Sequence, residues 1–131
     1  MNILNIIRTL ILEDEFLKSE LDNRVYFYET SKNADITNSF VILTPIYDEP
    51  KTTVSDNYLS EEYLIQVDVE TYHHQKTIDI TKRIRRLMWE NDLLPASSKL
   101  DTYFKETKRY VMSRRYQGVP KNQYYKEKHI D

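Results

Sequence analysis

The sequence predicts an α+β domain: an antiparallel or mixed β-sheet with two α-helices on one face, in the order α-β-β-β-α-β-β. Three observations carry this. Tyr63, Ile65, Val67 and Val69 share one side of an alternating segment whose other side is Gln66, Asp68 and Glu70, the period of a half-buried strand. The segment after it places Ile80, Ile84, Leu87 and Met88 at i, i+4, i+7 and i+8, one apolar helical stripe. Elsewhere the helical period recurs only near the N-terminus, and strand-like segments fill the rest. Helices segregated in this way cover one face of a sheet.

Residues 2–12 read as the first helix, with Ile3, Ile7 and Leu10 on a stripe widened by Ile6 and Ile11. Helical spacing then brings Asp14 into the stripe, so a break is expected near Glu13–Asp14, followed by a turn carrying Phe16, Leu17 and Leu21. Arg24–Thr30 is rich in β-branched and aromatic residues and reads as a strand. Ser31–Asn38 is a polar connector to a second strand, Ser39–Tyr47, whose run Phe40–Leu43 suits an inner position and whose Pro45 should end it or set it on an edge. Asp48–Leu59 shows no period and is expected to be a long loop, either a binding segment or a tolerated surface loop. Its candidate contact residues are Asp48, Lys51, Asp56 and Tyr58.

After the central strand and helix, Leu93-Leu94-Pro95 is expected to close the helix. Ser98–Glu106 and Lys108–Gln117 then read as an antiparallel pair. Leu100, Thr102 and Phe104 alternate in the first. In the second, Tyr110, Met112 and Tyr116 flank Arg114 on one face, opposite Arg109, Val111, Ser113 and Arg115. Residues 1–118 are expected to form a single domain, and the polar stretch 119–131, with Tyr124 and Tyr125, a loosely held tail.

Composition narrows the function classes. A chain of 131 residues with 40% hydrophobic and 31% charged residues is that of a soluble globular domain. A net charge of −2 gives no overall attraction to nucleic acid or an anionic membrane. The absence of cysteine removes disulfides, thiolate metal sites and a thiol nucleophile. The apolar run Ile3–Leu12 is interrupted by Asn5 and Arg8 and is too short to span a bilayer. A single glycine, Gly118, rules out a glycine-rich phosphate loop. The 11 tyrosines exceed what a small core uses, and tyrosine is enriched at protein interfaces.

Chemistry is harder to place. Asp68 and Glu70 at i, i+2, with Asp79 near in sequence, have the makings of a small magnesium-dependent nuclease. Such a site needs further carboxylates and a basic groove, so a polar strand face meeting solvent or another subunit is the better reading. No catalytic residue, metal or cofactor is expected. His73 and His74 lack HExxH spacing and read as capping or surface residues. Lys82, Arg83, Arg85 and Arg86, like Arg109, Arg114 and Arg115, fit a solvated face or a protein contact better than nucleic acid in so acidic a chain. Trp89 is more informative. On a helical wheel it lies with Ile78 and Arg85, away from the apolar stripe, where Arg85 is placed to stack on it. Asp68, Glu70, Ile78, Arg85 and Trp89 are therefore the candidate interface residues.

Taken together, ILNIIRTLILED, RVYFYE, SFVILTPIY, YLIQVDVETYHHQKTIDITKRIRRLMWEN and the closing KRYVMSRRYQG resemble the tail-terminator, or tail-completion, proteins of long-tailed bacteriophages over most of residues 2–117. The resemblance implies a non-enzymatic virion protein made in the host cytoplasm. It implies a homo-oligomeric ring, hexameric in the assembled tail and monomeric in dilute solution, at the head-proximal end of the tail tube. Its partners would be the tube protein and the head connector proteins, with DNA only as passing cargo and no membrane. A head–tail connector or stopper ring is the alternative within the same class. The stretch after Gly118 departs from the pattern.

Overall fold

The computed structural model describes residues 2–30, 37–52 and 59–120, with side chains at all of these except positions 51, 52, 59, 60 and 97–99. Helix α1 (Ile3–Glu13) starts at Asn2, whose side chain accepts from the Asn5 N–H, and stops at Asp14. Asp14 is also the first cap of α2 (Glu15–Leu21), its carboxylate accepting from the Leu17 N–H at 3.1 Å. One aspartate thus ends one helix and begins the next, which is the expected break. The buried stripe of α1 runs through Ile3, Leu4, Ile7 and Ile11, and Leu10 is only half-buried. The stripe is rotated from the expected one because α1 packs against α2 and α3 as well as the sheet.

The strands are β1 (Val25–Phe27), β2 (Phe40–Thr52), β3 (Leu59–Thr71), β4 (Leu93–Phe104) and β5 (Arg109–Gly118), with α3 (His74–Glu90) between β3 and β4. Their order in the sheet is β1-β2-β3-β5-β4. β1 runs parallel to β2 and every other pair is antiparallel, so the sheet is mixed. All three helices bury their apolar sides in one core with Val41, Leu43, Ile65, Val67 and Val69. The fold class is the expected one, with α2 a helix in its own right.

Three boundaries differ from expectation. Within Asp48–Leu59, the described residues 48–52 and 59 are strand and not loop, and 53–58 lie outside the described residues. β2 and β3 stay paired outward through Asp48↔Tyr63, Glu49↔Glu62 and Lys51↔Ser60 to Thr52↔Leu59. Asp48 and Lys51 are therefore strand residues, while Asp56 and Tyr58 lie outside the described residues. Asp48, Glu49 and Pro50 are exposed, so at these positions no buried face imposes an alternation. Pro45 does not end the strand either: a bulge between Pro45 and Tyr47 absorbs it. Second, Leu93-Leu94-Pro95 opens β4 instead of closing α3. The helix ends at Glu90, and Asp92, at φ 63, turns the chain into the strand. β4 is a sheet edge, where a residue without N–H is tolerated. Third, β1 is shorter than Arg24–Thr30 because Tyr28, at φ 69, leaves extended geometry.

The turn from β3 into α3 is held by threonines. The Thr71 hydroxyl donates to the His73 carbonyl at 2.7 Å and accepts from the His73 N–H at 2.9 Å. Thr77, fully buried, lies 2.8 Å from the same hydroxyl. The strand therefore enters the helix at a fixed angle, and the two faces of β3 keep a fixed relation to the sides of α3.

Candidate assembly interface

Alternation along β3 puts Val67 and Val69 under the helices and Gln66, Asp68 and Glu70 on the opposite face, which no helix of the described residues covers. Register extends that open face to Phe40, Ile42 and Thr44 on β2, to Arg109, Val111, Ser113, Arg115 and Gln117 on β5, and to Leu94, Leu100, Thr102 and Phe104 on β4. Its polar centre is paired within itself. The Ser113 hydroxyl donates to Asp68, which also accepts from the Gln66 amide. Arg115 donates to Gln66 at 3.0 Å, and Gln117 to the Tyr47 oxygen at 2.7 Å. Arg109 meets Glu70 at 3.1 Å while its guanidinium lies 5.1 Å from the Phe40 ring centre and 5.2 Å from that of Tyr72.

Both carboxylates suggested for metal chemistry thus already have protein donors. Among the described residues there is no group of three His, Asp or Glu side chains arranged to hold an ion. What the arrangement does support is burial. A face whose polar groups are already hydrogen-bonded loses little when water is removed, because few donors or acceptors are left wanting. Its rim is apolar: Leu100 is 63% exposed and Phe104 46%.

The second predicted surface is elsewhere. Ile78 is half-buried, Arg85 is exposed, and Trp89 is 61% exposed on the outer side of α3. The structure does not bring these residues to Asp68 and Glu70. They stand on the helical side of the molecule, across the core from the open sheet face. The expected stacking of Arg85 on Trp89 is absent from the cation–ring contacts of the described residues, which involve Arg83 and Arg109. The indole is left largely in solvent without that stacking.

Sequence reasoning missed the apolar rim and the Arg109 clamp. The signal for the rim was present in the alternation of Leu100, Thr102 and Phe104, but alternation alone does not say which side of a sheet is covered. The clamp joins residues 39 positions apart, and only strand register shows it.

At the base of the hairpin arm, Asp48, Glu61 and Tyr63 line an open cleft of about 580 Å³ with Ile3, Leu4, Phe27, Tyr28 and Pro45. A hydrogen bond with Asp48, partial burial and the like charge of Asp48 hold the Glu61 carboxyl above its ordinary value of 4.5. Burial, then the neighbouring carboxylates, push Tyr63 up to about 12. Folded Glu61 binds its proton more tightly than the unfolded chain does. Its contribution to stability is therefore complete below pH 4.5 and is lost as pH rises through the raised value. Glu61→Gln should leave stability unchanged near pH 4 and raise Tm by roughly 1–3 °C near pH 7, a small effect because the site is solvated. Thermal melts of both proteins across that range check it.

The class defined by this geometry is an α+β sandwich of one helical layer and one open, mixed sheet. Comparison with solved structures adds one particular. Eight chains match the fold. One belongs to the virion of a native gene transfer agent (GTA) particle, with a TM-score of 0.61 and 6% sequence identity, covering 87% of this chain and 90% of that chain. At that identity the likeness is one of fold. No protein-family model and no curated protein matches the sequence. Among the described residues no helix is long and apolar enough to cross a membrane.

Proposed function

We propose that the protein is a structural subunit of a phage-like virion. Copies form a closed ring at the head-proximal end of a tail tube, ending tube polymerisation and presenting the surface to which the head is joined. The observation that carries this reading is the open sheet face, polar at its centre yet already hydrogen-bonded and apolar at its rim, in a fold shared over nearly its whole length with a virion chain. The resemblance of the sequence to tail terminators supports the proposed position at the end of the tail.

A closed ring uses heterologous contacts, in which two different surfaces of each subunit meet. The open face with Asp68 and Glu70, and the outer strip of α3 with Ile78, Arg85 and Trp89, are two such surfaces on opposite sides of one subunit. Burying an indole of that exposure contributes on the order of 2–4 kcal/mol at each contact, repeated around the ring. Trp89→Ala should therefore reduce ring formation on the tube at least tenfold. It should change Tm by less than about 2 °C, because the side chain adds little to the core.

The reading is tested by mixing the purified protein with the tube protein and measuring tube length by electron microscopy. Expected are short tubes with a density ring at one end, and long uncapped tubes with Trp89→Ala. Tubes that grow unchanged in the presence of the native protein would refute it.

A further inference from the structure

The two edges of the sheet are built differently. The β1 edge is only three residues long and is cut off by the turned Tyr28. Along β4, the first half carries Pro95 and a bulge between Pro95 and Lys99, two devices that stop a strand edge from pairing with another chain. The second half, Leu100 to Phe104, has neither. Its register with β5 is regular from Lys99↔Arg114 to Phe104↔Arg109, and among the described residues its outer side has no neighbouring strand. Leu100, Tyr103 and Phe104 are 63%, 45% and 46% exposed. The one charge, Asp101, is tied back to Arg114 at 2.6 Å, so it does not guard the edge.

The five residues Leu-Asp-Thr-Tyr-Phe are also their own complement when reversed. Laid antiparallel about Thr102, Leu100 of one copy faces Phe104 of the other on the open-face side, and Thr102 faces Thr102. On the helical side Asp101 faces Tyr103, an acceptor opposite a phenol. Aromatic–aliphatic and Thr–Thr pairs are among the favourable cross-strand pairs, and no like charges meet within these five residues; the first like-charged pair, Lys99 with Lys105, falls just outside them and limits the paired length.

We propose that this edge pairs with the same edge of a second copy, antiparallel about a two-fold axis at Thr102, to give a dimer in solution. The occupant is a second copy because the five-residue segment matches itself in register and in apolar pairing. The contact is small. The exposed parts of three side chains amount to roughly 300 Å² per copy, below what a permanent interface buries, so the dimer is weak and dissociates at roughly 10–100 µM. It shares Leu100 and Phe104 with the apolar rim of the open face, but it is made through the backbone edge of β4, which the proposed ring contacts do not use.

The absence of cysteine allows a direct test in the full chain. In the proposed register the Thr102 backbones approach to about 5 Å, within reach of a disulfide, whereas each Leu100 lies about 13 Å from its own counterpart. Thr102→Cys should therefore give a disulfide-linked dimer under mild oxidation, and Leu100→Cys should not. Sedimentation of the native protein should show mass rising from one subunit towards two as concentration rises through the range above. Leu100→Glu and Phe104→Lys should each weaken the dimer at least tenfold, and the double variant, which places Glu opposite Lys twice, should restore it. Native protein that stays at one subunit mass, equal cross-linking at 102 and 100, or a double variant no better than the singles would each overturn the proposal. None of these readouts uses the tube protein, so failure here is distinguishable from failure of the ring reading.

Discussion

Gly118→Ala is expected to destabilise the fold by about 3 kcal/mol and to lower Tm by roughly 10 °C. This is the only glycine in the chain. It ends β5, paired with Tyr63 of β3 on one side and Leu93 of β4 on the other. A Cβ there would fall inside contact distance of the Asp92 carbonyl oxygen, with the Asp92 carbonyl carbon at 3.1 Å and the Leu93 Cα at 3.4 Å. These are backbone atoms of the turn that carries α3 into β4, where Asp92 already holds a left-handed conformation. No side-chain rotation relieves the clash. Either β5 withdraws from β3 and β4, or the turn shifts and takes the end of α3 with it. Urea or thermal unfolding of the single variant measures the loss. A larger residue at 118 should cost more, and Ala at Tyr28, whose side chain is largely in solvent, should cost far less. Stability equal to that of the native protein would show that the turn is softer than its geometry implies.

The sequence had already made Gly118 visible, but only as evidence against a phosphate loop. Its structural part depends on which strands flank it, and single-sequence patterns do not supply that. The same limit explains the other differences. Asp14 was legible because a charge entering an apolar stripe is a local event, read from spacing. The helix-covered side of β3 was legible because there apolar residues alternate with polar and charged ones, a contrast that is local too. The hairpin arm was not. Its described residues Asp48, Glu49 and Pro50 are exposed and carry no period, which makes a paired ribbon indistinguishable from a loop. Pro45 and Pro95 misled for a related reason, since a bulge or an edge position tolerates proline and neither is written in the neighbouring residues. For the candidate interface, Trp89 was found by helical phase alone. Asp68 and Glu70 were placed on the correct face, but as leftover polar groups. In the structure they are committed ones.

That commitment leads to the second large effect. Arg109→Met should destabilise the protein by about 2–3 kcal/mol, and Arg109→Met with Glu70→Gln by about half as much. Arg109 is 8% exposed, held between the rings of Phe40 and Tyr72 and bonded to Glu70. Methionine keeps much of the apolar stem, so most of the loss comes from the Glu70 carboxylate left without its partner. Neutralising that carboxylate in the double variant removes the penalty and isolates it from the lost packing. Lysine should not substitute, because an ammonium cannot lie flat between two rings while bonding sideways. In the free subunit the cost is moderated by water reaching Glu70. In the proposed ring a neighbouring subunit would cover the open face and exclude that water, making the stranded charge more costly. Arg109→Met should consequently impair ring formation beyond its effect on folding, and the added Glu70→Gln should recover assembly more fully than it recovers stability. Equal recovery of both would mean that this face stays in solvent when the ring forms.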